Sequence, residues 1–303
     1  MSVLSRLKAR AWSRLSGVIT SILHEAMPDM GLTAYTQAAQ RALWQQYQLR
    51  KALNIPLPQF SEVGFRVYSR FDEDGILLFL FAVLGLTNKV CVELAFGSPH
   101  GANTTNLICN WGWRGLLIEG EESLAEQART FFANQPDTLP FPPMIVQAWV
   151  DSENVNAVLR DNGIEGEIDL FSLDMDGIDY WVWKRLEVVR PRVVVVECSG
   201  LWPPDRAVTV PELPRFSSSR PVDPYYQGAS LAAFTKLGRA KGYRLVGVHR
   251  QGFNAFFVRD DVSADVLHET TPEKVWDSPE MGYIRRYREE MFPTGLPGQW
   301  VDV

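Results

Sequence analysis

From residue 89 onward, short apolar runs rich in β-branched residues alternate with longer stretches whose apolar positions recur at helical spacing. The short runs predict strands near 89–95, 115–119, 144–150, 168–174 and 192–198, and the longer stretches predict helices over 102–111, 122–133, 152–162 and 177–189. A further helix over 229–241 leads into strands at 243–248 and 253–259. Strands alternating with helices imply an α/β architecture, a parallel sheet covered on both faces. The last pair is the exception. Only HRQGFN joins them, too short for a crossover helix, so the seven-stranded, mostly parallel sheet ends in an antiparallel hairpin.

Upstream, Tyr68 to Leu86 opens with polar and acidic residues suited to a helix N-terminus and continues as a nearly all-apolar helix. Thr33 to Leu53 predicts another helix, ending before Pro56 and Pro58. At the N-terminus, Leu4, Leu7, Ala11, Leu15, Val18 and Ile22 form a helical stripe, with Arg6, Lys8, Arg10 and Arg14 largely off it. Such a basic amphipathic helix packs on its own domain or a second subunit, or lies on a membrane surface. The expected organisation is a helical extension over 1–60, a Rossmann-like domain over 61–264, and a tail over 265–303 whose Trp276, Tyr283, Tyr287, Phe292 and Trp300 pack back onto it. A proline-rich loop from Leu201 to Tyr226 follows the fifth strand and is long enough to serve as a lid or substrate loop.

Composition narrows the partners. A net charge of -6 gives no basic field for nucleic acid. No run is long enough to span a membrane, and the N-terminus lacks the continuous apolar core of a secretion signal. Cys91, Cys109 and Cys198 form no CxxC pair and lie in or beside apolar segments, which points to buried thiols and a reducing cytoplasm.

The candidate chemistry sits at strand ends, where open α/β sheets bind ligands. In VCVELAFGSPHGANTTNL a strand runs into a glycine-containing loop and a helix, and GLLIEG follows as the next strand; Glu93 and Glu119 are the acids placed to meet a nucleotide's ribose. The strand Ile168 to Leu173 ends in Asp174, followed by Asp176, Gly177 and Asp179, and VVVVEC brings Glu197 to the same rim. Asp174 and Glu197 fall on neighbouring parallel strands; Asp176 or Asp179 can instead cap the next helix. His100 in the first loop and His249 at the hairpin are candidate general bases. Asp174, Asp176, Glu197 and His249 form a set that suits magnesium, although their spacing does not require a metal.

These phrases, with SRFDEDGIL, AWVDSENVN, YYQGASLAAF and KGYRLVGVHRQGFNAFFV, follow the order and spacing of a known family over Tyr68 to Asp261. The chain resembles the FkbM-type methyltransferases, a branch of the class I S-adenosylmethionine-dependent enzymes. The resemblance implies O-methylation of a hydroxyl on a small-molecule acceptor, a sugar or natural product, with S-adenosylmethionine as cofactor. It places Glu93, Phe96, Gly97 and Ser98 along the methionine and ribose part of the cofactor, Glu119 on the ribose hydroxyls, Asp151 at the adenine amine and Asp174 facing the methyl group. Asp174, His249 or His100 would take the hydroxyl proton. The loop departs from the family's glycine pattern: Ala95 fits only at negative φ, and Pro99 removes an N–H. The alternative is a non-catalytic or repurposed relative that uses the fold to bind a partner or membrane surface.

Overall fold

The computed structural model describes residues 30–212 and 228–303. The strands are β1 (Val90–Leu94), β2 (Arg114–Glu119), β3 (Met144–Gln147), β4 (Gly166–Leu173), β5 (Val189–Ser199), β6 (Val208–Thr209), β7 (Ala229–Ser230), β8 (Tyr243–Val248), β9 (Asn254–Arg259) and β10 (Val301–Asp302). β1 pairs in parallel with β2 and β4, β2 with β3, and β4 with β5. β9 runs antiparallel between β5 and β8. The main sheet therefore has the order β3–β2–β1–β4–β5–β9–β8 and ends in the antiparallel hairpin that the six-residue connection demands.

Three strands go beyond the seven expected. β5 forks: Val193–Glu197 pair with β9, while Cys198 and Ser199 pair with β7, which continues to β6 and β10. Each of these additions is two residues long, too short to carry an alternating pattern.

Helices cover both faces. Along β5, Val194 and Val196 join one core while Val193 and Val195 join the other, the period-two alternation of a strand buried on both sides. The first core includes α6 (Val155–Asp161), α7 (Asp179–Arg185) and α8 (Leu231–Ala240). Behind the opposite face lie α1 (Met30–Ala52), α2 (Phe60–Val63), α3 (Glu73–Leu84), α4 (Thr105–Trp111) and α5 (Glu122–Ala133). Every residue of α3 is buried. An all-apolar helix needs cover on its outer side, and α1 supplies it: Tyr47 packs edge-on to Phe79 at 5.1 Å, and Lys51 Nζ donates to the Val83 carbonyl at 2.7 Å.

The C-terminal residues contribute α9 (Pro272–Trp276) and α10 (Gly282–Met291); Val275, Met281 and Ile284 enter the core beside β5 and β9. The N-terminal amphipathic stripe lies outside the described residues, as does most of the expected lid loop. The loop's first part packs down, with the Trp202 ring 4.9 Å from Trp300. Among the described residues no helix is long and apolar enough to cross a membrane.

Candidate functional site

The carboxyl ends of β1, β2, β3 and β4 surround a cavity of about 240 Å³. Its floor is built by one carboxylate. Glu119 Oε2 accepts the Gly97 N–H at 2.8 Å and Oε1 accepts the Glu121 N–H at 3.0 Å, so the end of β2 clamps the loop that follows β1. Gly97 has φ = +63°, and a β-carbon built there would meet nothing within 4 Å. The space above this glycine is open to a ligand.

Ala95 lies in the left-handed region, at φ = +53°, with its N–H bonded to the Ile118 carbonyl at 2.8 Å. The expectation of a negative φ is thus overturned: the loop keeps its glycine-like path without the glycine, because the β2 carbonyl holds it there. Left-handed backbone costs an L-residue about 1–2 kcal/mol, partly offset by the greater entropy of glycine in the unfolded chain. Ala95→Gly is therefore expected to stabilise the protein by about 0.5–1 kcal/mol, read as a higher urea midpoint at unchanged slope. A lower midpoint would show that the loop is not strained.

The remaining sequence candidates divide into those that line this cavity and those that brace it. Asp174 lines it with Gly97 and Glu119; Glu93, Phe96, Ser98 and Asp151 do not. Glu93 is buried and turned back on the loop, accepting the Asn103 and Thr104 N–H groups at 2.8 and 2.9 Å and the Thr104 hydroxyl at 2.5 Å. Phe96 is in the core. Ser98 Oγ accepts the His100 N–H at 3.3 Å. Asp151 Oδ1 accepts the N–H groups of Glu153 and Asn154, both at 3.0 Å, at the start of α6.

Sequence reasoning passed over Trp149. The indole, half exposed, lies at the cavity wall against Gly120, where a β-carbon would come within 2.7 Å of the ring. An aromatic two residues before the β3-end acid is the signal that marks it.

Neither histidine lines the cavity. His100 stacks on Tyr68 at 5.8 Å and meets Phe131 edge-on at 5.1 Å. The His249 side chain is fully buried; its Nδ1 accepts the Phe253 and Asn254 N–H groups at 3.2 and 2.8 Å, and Nε2 lies 3.8 Å from Glu73 Oε1. Burial pulls its pKa down. It closes the β8–β9 hairpin, which corrects its reading as a base at this site. A larger cavity, about 780 Å³, lies between the Asn54–Ser61 segment and the C-terminal residues, and His249 is its only residue among the sequence candidates.

The strand-end acids do converge. Leu173 is in register with Val196, so Asp174 and Glu197 leave β4 and β5 side by side. With Asp176, held at φ = +54°, they place one oxygen each within 4.8 Å of one another. Burial, then repulsion from Asp176, pushes Asp174 up to about 6. Glu197 is pushed well above the usual range by burial and by Asp174, Asp179 and Asp176. Its Oε2 is buried with no hydrogen-bond partner among the described residues. On its other side Glu197 opens onto a second cavity, about 410 Å³, walled by Phe253 and by Tyr283, Ile284 and Tyr287 of α10.

Asp179 holds the loop that carries Asp174 and Asp176. Its carboxylate accepts the Met175 and Gly177 N–H groups at 2.8 and 3.1 Å, and burial, aided by the charge of Asp174, pushes it from 3.8 up to about 7. A carboxyl raised in the folded state stabilises fully below its unfolded pKa, and that contribution is lost as pH rises through 7. Asp179→Asn, neutral throughout, is therefore expected to gain about 2 kcal/mol on wild type between about pH 5.5 and about pH 8. Urea unfolding at the two pH values checks this; a gap independent of pH contradicts it.

No protein-family model matches the chain, and no curated protein matches it. Among solved structures it is similar to an O-methyltransferase from Bacillus cereus in complex with S-adenosylhomocysteine: 15% identity, 71% of this chain and 89% of that chain, TM-score 0.40. It is also similar to the glycopeptide N-methyltransferase MtfA, complexed with S-adenosylhomocysteine: 15% identity, 66% of this chain and 95% of that chain, TM-score 0.40. A third is magnesium protoporphyrin IX methyltransferase from Synechocystis with bound S-adenosylmethionine: 10% identity, 62% of this chain and 77% of that chain, TM-score 0.37. Likeness at this level carries no argument about chemistry. The fold stands on its own strand order, β3–β2–β1–β4–β5–β9–β8 with β9 antiparallel, which is the Rossmann-like layout of class I methyltransferases.

Proposed function

We propose that the chain is a methyltransferase of the FkbM type, using S-adenosylmethionine to methylate a hydroxyl on a small-molecule acceptor such as a sugar or natural product. The observation that carries this reading is the clamp of Glu119 on Gly97 beneath an open cavity, with the Asp174–Asp176–Glu197 cluster between that cavity and a second one.

The residues present fit the cofactor's chemistry. Each Glu119 oxygen accepts one N–H and keeps a second lone pair for a ribose hydroxyl. Trp149 offers a ring face to the adenine, and Gly97 leaves room for the ligand backbone. When bound, the cofactor supplies an electrophilic methyl group on a sulfonium. The chain positions an acceptor hydroxyl from the second cavity toward that methyl and excludes water from the junction. Asp174, already raised to about 6, takes the hydroxyl proton as the new bond forms.

Gly97→Val tests the reading directly. A β-branched side chain at φ = +63° is strained and projects into the open space. The wild type is expected to gain thermal stability with S-adenosylhomocysteine, and the variant to bind at least about tenfold more weakly. Equal shifts in both would place the ligand elsewhere.

One observation favours a second reading, a fold retained for binding without catalysis. The cavity of about 240 Å³ is smaller than the range of about 300–1,000 Å³ usual for ligand sites. Failure of the wild type to bind either form of the cofactor would favour this reading.

A further inference from the structure

The second cavity is built from parts of the chain distant in sequence: Glu197 to Leu201 at the end of β5, Phe253 in the hairpin, and Tyr283, Ile284 and Tyr287 on α10. Its wall is aromatic. Tyr283 is 67% exposed and stacks with the partly buried Tyr287 at 6.2 Å and 22° between ring planes. One acid lines it, Glu197, whose Oε2 is buried with no hydrogen-bond partner among the described residues. Asp174 and Asp176 line the first cavity, and one oxygen from each of the three carboxylates lies within 4.8 Å of the others.

We propose that this cavity binds an organic ammonium group, seated on the Asp174–Asp176–Glu197 carboxylates with its carbon skeleton against the Phe253, Tyr283 and Tyr287 rings. An ammonium carries three donors. At N–O distances of about 2.8 Å and tetrahedral angles it spans oxygens about 4.6 Å apart, inside the 4.8 Å that bounds the cluster. The rings add attraction for a cation and cover for its alkyl or aryl part. A divalent metal ion would use the carboxylates but has no use for the aromatic wall, and it seeks six or more oxygens. Three half-buried acids gathered this closely, one with a buried oxygen that has no partner among the described residues, are costly without a positive partner, and an ammonium removes that cost. The site itself stands on the cavity; that its occupant is the methyl acceptor rests on the function proposed above. In that case the acceptor is an amine-bearing molecule, such as an amino sugar, anchored through its ammonium group.

Benzylamine and benzyl alcohol, of matched size and differing in charge, separate these possibilities when titrated into the full chain near neutral pH by calorimetry, with magnesium chloride as a third arm. Benzylamine is expected to bind at least about tenfold more tightly than the alcohol. Glu197→Gln, nearly isosteric, is expected to reduce that preference to within about twofold, and Tyr287→Leu to weaken the amine severalfold. Equal affinity for amine and alcohol, no amine binding up to about 10 mM, or displacement of the amine by magnesium would overturn the proposal. A parallel titration with S-adenosylhomocysteine keeps the two ideas apart. Amine selectivity without cofactor binding would leave this site standing and remove the methyltransferase reading; cofactor binding without selectivity would do the reverse.

Discussion

Asp169→Ala is expected to cost about 3–5 kcal/mol, a large share of the roughly 5–15 kcal/mol that holds a domain together. Asp169 is completely buried inside β4. It accepts the N–H groups of Thr87, Asn88 and Lys89 at 2.7–3.0 Å, and Arg192 Nη1 at 2.9 Å. Arg192 reaches on to the Gly85 and Leu84 carbonyls at 2.7 and 2.9 Å. One carboxylate thus ties the C-terminal end of α3, the turn into β1 and the start of β5 together, and holds Lys89 at φ = +55°. Alanine would strand a buried guanidinium and three backbone donors, a larger loss than the bridge itself contributes. Urea unfolding measures it, and a loss under about 1 kcal/mol would show that water replaces the carboxylate.

The second large effect is at Gly75. A β-carbon there would lie 2.3 Å from both the Phe65 nitrogen and the Val63 carbonyl oxygen, and neither backbone atom can retreat while the Gly75 N–H stays bonded to the Phe65 carbonyl at 3.0 Å. The crossing is pinned from the other side too, since Asp74 Oδ2 accepts the Val67, Tyr68 and Ser69 N–H groups at 2.6–2.8 Å. Gly75→Ala is expected to exceed the roughly 4–5 kcal/mol that marks exceptional substitutions, leaving little folded protein. Circular dichroism and yield report it directly. The damage should reach the site, because Tyr68 and Arg70 hold Gly101 of the β1 loop through backbone bonds of 2.7 and 3.2 Å. A well-folded Gly75→Ala protein would mean that α3 can slide away from the Val63–Phe65 segment.

The seven long strands were legible because β-branched runs at strand length, separated by helical stretches, admit few other arrangements. The pairing of Asp174 with Glu197 was legible because two apolar runs that predict neighbouring parallel strands are each followed by an acid, although β5 itself runs on to Ser199. What each carboxylate does was not legible. Glu93, Asp151 and Glu119 all end or follow strands, yet Glu93 and Asp151 satisfy loop and helix N–H groups, while Glu119 does this and also faces the cavity. A sequence states that an acceptor is present but not which donor reaches it. His249 misled for a related reason, since a hairpin turn that folds its own N–H groups onto a ring nitrogen has no signature in HRQGFN. The aromatic wall on α10 joins β5 only through tertiary packing, across more than eighty residues of intervening chain.

The central claim is that Glu119 anchors a nucleoside cofactor in the cavity at the ends of β1 to β4. Calorimetric titration of S-adenosylhomocysteine into the wild type and Glu119→Ala tests it most directly. A hydrogen bond to a charged group contributes about 1.5–3 kcal/mol, so the variant should bind roughly 10–100-fold more weakly than a saturable, one-to-one wild type. No wild-type binding up to about 1 mM, or equal affinity in the folded variant, would contradict it.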